Sequence, residues 1–420
     1  MPGACRKGTT QGVGMITVAQ AMACYARHIQ PLAVCTVALG EAMGACLAAA
    51  VHAAVDLPPF AQSAMDGYAL RAAWTQHATA DHPVTLPLTG ASHPGHRPPV
   101  LDDNPAALRI LTGAPLPQGA DAIVPQENVI RGDSTITLHQ PARPDSHIRH
   151  RAEELPAGTL LAQAGTRLTP ALQAALAAAG IAEVAVHHRP RVWLLVTGDE
   201  LCAPGQPRGT FQVYDAATTL VQGWLASQGL TLAGWRHVPD SLEQLTAAMD
   251  EAAGQADWVL TTGGASVGDR DHLKAALQRC GLAMHFRAVA QKPGKPLVFA
   301  QRMHGAGPIL LGLPGNPAAM LVCLATHGRM IAAHLAGSAG KAQDIWQHGL
   351  LTRDITPVPG KTWWLRTHAQ TQPHGLVTLE PLPGQASHML GNAARANALA
   401  CIPPSERIIP AGTVVPFAAL

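Results

Sequence analysis

The sequence predicts a multidomain α/β protein organised around one doubly wound α/β domain, and three observations predict it. First, Asp257 to Leu277 (DWVLTTGGASVGDRDHLKAAL) reads as strand, glycine-rich loop and helix. Trp258, Val259 and Leu260 form a short apolar run, Thr261 to Gly264 break it, and Leu273, Ala276 and Leu277 recur at helical spacing. Second, strands and helices alternate from Arg189 to about Gly337, which implies a parallel sheet covered on both faces. Third, the segments Pro83–Leu138 and Trp346–Leu420 are short apolar runs punctuated by Pro and Gly, the pattern of small β domains. A chain of 420 residues is too long for a single core.

The totals exclude several classes. Hydrophobic residues make up 47% and charged residues 13%, as in a globular chain, and a net charge of +2 gives no basic face for nucleic acid. No apolar run reads as long and charge-free enough to span a bilayer, so no membrane partner is expected. The first residues, MPGACRKGTTQGVGM, lack an apolar signal core and read as a disordered tail over 1–14, with Met15 a candidate start; the chain is expected to be cytoplasmic. The 8 cysteines form no C-x-x-C pair and the 21 histidines no H-E-x-x-H, so no metal site is expected on Cys or His.

In chain order, Thr17 caps a helix to His28 that carries Val18, Met22 and Tyr25 on one face, and a second short helix is expected over Leu39–Ala50. Asp66-Gly67 makes a turn before a strand; its plain reading is an aspartate bonding its own turn. Thr112-Gly113 ends another strand. Arg149 and Arg151 beside Glu153 and Glu154 read as surface ion pairs. Thr169–Gly180 is a helix with Pro170 in its first turn. In the α/β region Val192–Val196 is a strand ending at Glu200. Thr218–Gln228 and Ser241–Ala253 are helices, with Leu232–Val238 a strand between them. His285–Ala290, Pro296–Ala300 and Ile309–Gly312 follow as strands, and Ala318–Leu335 as a helix. Ligands of open α/β sheets sit beyond the carboxyl ends of the strands. Glu200, Asp240, the Gly263–Gly268 loop and the turn Leu313–Pro317 all fall there.

Three acids, Glu200, Asp240 and Asp271, with Lys292 and Lys295 in the turn QKPGKP, give that edge both signs of charge. Several carboxylates suit Mg2+, which prefers oxygen ligands. Lysines and a glycine loop suit phosphate or another oxyanion. Each residue also has an ordinary role: Asp240 with Glu243 is capping-box-like, Asp271 can cap its helix, and the lysines can be solvated surface.

SAMDGYAL, RILTGAPLPQGADAIVPQE, TGDEL, TTGGASVGDRD, KPGKPLVF and LGLPGNPAA occur in this order. Together with RANALACIPP near the C-terminus, they resemble the molybdopterin molybdenumtransferase family (the MoeA type, shared with the gephyrin E domain). The similarity runs from about Met15 to the end. It implies a transferase that inserts molybdate into adenylylated molybdopterin and releases AMP with the help of Mg2+. It also implies a homodimer with a composite active site, a molybdopterin adenylyltransferase upstream, and molybdoenzymes or their chaperones downstream. The implied domains are a discontinuous helical linking domain (15–50 and 148–188), an inserted β domain (51–147), the α/β molybdopterin- and nucleotide-binding domain (189–338) and a C-terminal β-barrel (339–420).

By motif match, Asp66, Glu200, Asp240 and Asp271 are the implied catalytic residues, the last three also the metal ligands. Thr112, Gly263, Gly264, Ser266, Gly268, Arg287, Lys292, Lys295, Pro314, Gly315 and Asn316 are the implied substrate-binding residues. Asp66 and Thr112 would reach the α/β domain of the partner subunit. The chain departs from the family's pattern at three places. Ala152-Glu153-Glu154 stands where Gly-x-Asp is usual, Ala216-Ala217 follows Tyr214-Asp215 where Ser/Thr-Asn is usual, and Arg287 replaces a common lysine. A member that binds molybdopterin or the finished cofactor as a carrier or scaffold, without turnover, is the alternative reading.

Overall fold

The computed structural model of the protein describes residues 15–263, 272–302, 307–338 and 346–420. Gly264, Ser266, Gly268 and Asp271 lie outside the described residues.

Among the described residues the central sheet has seven strands. In spatial order they are Met15–Ile16, Leu282–Val289, Pro296–Arg302, Ile309–Leu313, Trp258–Thr262, Val192–Thr197 and Leu232–Val238. Along Val192–Thr197 the side chains alternate between two cores. Val192, Leu194 and Val196 enter one and Trp193 and Leu195 the other, so both faces are covered. The sheet is not wholly parallel: Pro296–Arg302 runs antiparallel to both neighbours. Only Ala290 to Lys295 separate it from the preceding strand, too few residues for the crossover that a parallel return requires.

Helix Val18–His28 opens with a capping box: Gln20 N–H donates to Thr17 Oγ1, and Thr17 N–H to Gln20 Oε1. Ala21 and Tyr25 enter the core of the central sheet. The run Pro317–Leu335 is helical throughout, with a π segment at Leu324–Gly328 between two α-helical stretches. By length and composition alone this run could cross a membrane, but most of it is buried against the central sheet and the barrel.

The expected helix over Leu39–Ala50 does not form. Val34–Ala38 is a strand paired with Glu183–His187, and only Leu39–Glu41 makes a single 3-10 turn. Gly40 and Gly44, the latter at φ +73°, break the run. Helix Pro170–Ala178 does form, its first turn capped by Thr169 Oγ1. A six-stranded sheet spanning Gly67–Leu138 makes the inserted β unit. At the C-terminus Thr362–Thr371, Val377–Pro381, Gln347–Leu351, Val414–Ala419 and Ala398–Ile402 close into a five-stranded barrel.

Candidate functional site

Val192–Thr197, Trp258–Thr262 and Ile309–Leu313 end at one edge of the central sheet, and a cavity of about 690 Å³ opens there. Glu200, Gly263, Lys292, Lys295, Pro314, Gly315 and Asn316 all line it. The strand ends explain the convergence, since three parallel strands deliver their following turns to the same side.

Gly263 sits at φ +75°, and a Cβ there would lie 2.7 Å from Thr197 Oγ1, whose hydroxyl donates to the Thr262 carbonyl. Only glycine fits that turn. Asn316 stands at the N-terminus of helix Pro317–Cys323, with Pro317 in its first turn. The Asn316 amide donates to Ser387 Oγ of the barrel domain at 3.2 Å. The cavity is therefore walled on one side by Lys361, Gln385 and Ser387 of that domain.

The lysine loop is held from beneath by a buried network. Gln291 is 1% exposed, and Trp364 Nε1–H donates to its Oε1 at 2.8 Å. The indole can only donate, so it fixes which end of the amide is oxygen; the amide nitrogen donates to the Gly294 carbonyl at 2.9 Å. His327, fully buried, lies 2.9 Å from the same Oε1 and must donate to it from Nε2. Its Nδ1 then accepts from the Tyr25 hydroxyl at 3.0 Å. Burial pushes the His327 pKa down to about 3, which keeps this neutral tautomer. Gly294 completes the turn at φ +86°, where a Cβ would fall 2.4 Å from Cys323 Sγ. The N-terminal helix, the π segment and the barrel thus all grip one loop.

On that loop Gln291–Lys292 pairs with Thr362–Trp363, and Lys292 Nζ stands 4.6 Å from the Trp363 ring centre. Lys292, Lys295, Lys361 and Glu200 make no ion pair with one another or with any other described residue. Three cations and one carboxylate around one cavity favour a ligand with several negative charges.

The other expected residues are placed differently. Asp240 borders a small adjoining cleft that shares Thr197 and Gly263 with the cavity, and its N–H donates to Asp199 Oδ1 at 3.1 Å. It does not cap the next helix; Ser241 does, accepting from Gln244 N–H. Arg287 lies in Leu282–Val289 and lines neither cleft. Asp66 and Thr112 sit in the inserted β unit and do not line the cavity. The Asp66 carboxylate is not spent on its own turn: Thr112 donates to Oδ1 from both N–H and Oγ1, each at 2.7 Å. Those bonds, backbone first, hold its pKa below the usual carboxylate range. Arg151 pairs with Asp56, not with Glu153 or Glu154.

Sequence reasoning missed Lys361, Gln385 and Ser387, for which the only signal is Lys361 in a Pro-Gly turn. Tyr214, Ala216 and Ala217 also line the cavity. There Asp215 supplies the helix cap, accepting from Ala217 N–H and Thr218 N–H, so the two alanines leave the helix start intact and present methyl groups to the ligand space.

The chain matches three family models: the MoeA N-terminal region (domain I and II) over residues 16–180, a probable molybdopterin binding domain over 193–334, and the MoeA C-terminal region (domain IV) over 348–420. It is 35% identical to a molybdopterin molybdenumtransferase 2 of Mycobacterium tuberculosis, over 90% of this chain and 93% of that one. To a molybdopterin molybdenumtransferase of Nostoc it is 34% identical over 89% and 86%. Among solved structures, a molybdopterin biosynthesis MoeA protein from Pyrococcus horikosii superimposes with a TM-score of 0.79 at 25% identity, covering 97% of this chain and 99% of that one.

Proposed function

The chain belongs to the MoeA family of molybdopterin molybdenumtransferases and so to molybdenum cofactor biosynthesis, and on that premise we propose that the cavity binds adenylylated molybdopterin and molybdate, releases AMP and yields the metal-loaded pterin. The observation that carries the reading is that Lys292, Lys295, Lys361 and Glu200 all line one cavity of about 690 Å³, within the size range of cofactor sites. The lysines neutralise the phosphoanhydride and the molybdate oxyanion, and charge that develops on the leaving phosphate meets cations already in place. Pro314, Gly315 and Asn316 shape the far wall.

Oxygen donors suit Mg2+, and two observations support that reading: the Glu200 carboxylate makes no ion pair among the described residues, and Asp240 lines the small cleft that shares Gly263 with the cavity. Glu200 and Asp240, with Asp271, would hold the ion, which would supply charge neutralisation at the phosphate. Asp66, kept ionised by Thr112, completes the site from the partner subunit of a homodimer.

The test is turnover of adenylylated molybdopterin with Mg2+ and low molybdate, read as AMP release and activation of an apo molybdoenzyme. Glu200→Gln and Asp66→Asn are each expected to abolish both signals. Mixing the two dead variants is expected to restore about a quarter of the activity, because half the dimers would be mixed and each would hold one intact site. No recovery on mixing would remove the composite site; unchanged single variants would remove the whole assignment. The methyl-lined wall at Ala216 and Ala217 favours a second reading, a carrier, and binding without AMP release by the unmodified protein would establish it.

A further inference from the structure

Outside this cavity, Cys24 and His28 stand one helical turn apart on Val18–His28 and meet His285 of the adjoining strand Leu282–Val289. One ligand atom from each, a thiol sulfur and two ring nitrogens, lies within 4.8 Å of the other two. The two imidazoles face each other with ring centres 3.9 Å apart, and His285 stacks in turn on Phe299. None of the three side chains makes a hydrogen bond to another described residue. Three polar groups that converge with no hydrogen-bond partner among the described residues leave their donor atoms available to a ligand.

We propose that Cys24, His28 and His285 form a binding site for a single thiophilic metal ion, zinc(II) or an ion of similar softness, separate from the oxygen-lined Mg2+ site. Cysteine sulfur and imidazole nitrogen are the donors such ions select, and an i, i+4 pair on a helix plus one ligand from a neighbouring strand presents three corners of a tetrahedron. In a tetrahedral site ligand atoms are roughly 3.5 Å apart, so side-chain rotation closes the present spacing. All three residues are half-buried, which leaves the fourth position open to water. Both imidazoles are available in neutral form: burial and His28 push His285 down to about 4, and burial, then Arg27, lower His28. Burial holds Cys24 as a thiol, its pKa raised, so binding would displace its proton to solvent. The bound ion would pin the N-terminal helix to the sheet edge. The sequence hides the site because its third ligand lies far along the chain.

The full-length protein, freed of metal, is titrated with Zn2+ against a chromophoric chelator, and with Co2+ to read the sulfur-to-metal charge-transfer band. The expected result is one tight site per chain, a thiolate–Co2+ band, and a rise in melting temperature on adding Zn2+. Cys24→Ser should abolish the band, and His285→Ala should weaken tight Zn2+ binding at least tenfold. Cys35→Ser, on the strand Val34–Ala38, should change neither. Because His285→Ala also removes a stacked ring, His28→Gln serves as a second variant with the same expected loss. Equal Zn2+ binding by the unmodified protein, Cys24→Ser and His28→Gln would overturn the proposal, as would the absence of a thiolate–Co2+ band from the unmodified protein.

Discussion

The cavity beside the central sheet and the Asp66–Thr112 pair of the inserted β unit hold their charges in opposite ways. Around the cavity, Lys295, Lys361 and Glu200 stand without ion-pair partners among the described residues, while the backbone that carries the lysine loop is locked by the Gln291 network. In the inserted unit one oxygen of the carboxylate, Oδ1, already accepts two hydrogen bonds from Thr112. A rigid frame around charges without ion-pair partners suits a binding site, whereas a carboxylate bonded by a neighbouring threonine on an exposed turn is a group held in its ionised form. The difference teaches that exposure and charge alone do not separate the two; the partners do.

The largest effect should come from emptying the cavity of charge. Lys292→Ala with Lys295→Ala is expected to lower kcat/KM by about a thousandfold, since two charge-assisted contacts to an anionic ligand vanish together. Chemical denaturation of the α/β unit should change little. A variant that unfolds but retains the activity of its folded fraction would reverse the contrast, making the lysines structural.

Cutting the frame should do the opposite. Gln291→Leu leaves buried donors on Trp364 and His327 without their acceptor, and should destabilise the α/β and barrel units by about 2–4 kcal/mol, read by denaturant unfolding. If stability holds and only KM rises, the loop is positioned by something other than this network.

Acid should then separate the regions. His327 has a folded pKa of about 3, below its unfolded value, so the unfolded chain binds the extra proton. Its contribution is complete above the unfolded pKa of about 6.5 and is lost progressively as pH falls from there toward 3. Asp66 and Asp56 also have depressed pKa values, but as carboxylates their contributions hold to about pH 4 and are lost only below it. Hydrogen-exchange protection factors, corrected for the slower intrinsic exchange in acid, should therefore fall in the π segment and the N-terminal helix between pH 6.5 and 4, while those of the turns around Asp66 hold. Simultaneous loss in both regions would remove the distinction.

The legible parts of the chain are those where local chemistry and fold agree. The alternation of strands and helices placed Glu200, Gly263, Lys292, Lys295 and Asn316 at one edge, because parallel strands always discharge their turns to the same side. Two kinds of information were not local. Whether Pro296–Arg302 would run antiparallel depended on the shortness of Ala290–Lys295, which an apolar pattern does not weigh. That Lys361, Gln385 and Ser387 would wall the cavity depended on how the barrel docks, through Trp364 on Gln291 and Ser387 on Asn316. The convergence of Cys24 and His28 with His285 is illegible for the same reason.

The smallest expected effect concerns a departure that was visible in the sequence. Ala152 stands where a glycine is usual, and the backbone there has kept a glycine's conformation, φ +61°. The left-handed region costs a residue with a Cβ about 1–2 kcal/mol, and Ala152 is held in it because its N–H donates to the Pro58 carbonyl while Arg151 beside it pairs with Asp56. Restoring glycine removes the clash but returns conformational freedom to the unfolded chain, so the net gain should be about 0.5–1 kcal/mol. Denaturant unfolding of Ala152→Gly should show a raised midpoint with an unchanged slope. If the midpoint falls instead, the anchoring at Pro58 and Asp56 does not impose the conformation, and the alanine is favoured there for a reason in the unfolded state.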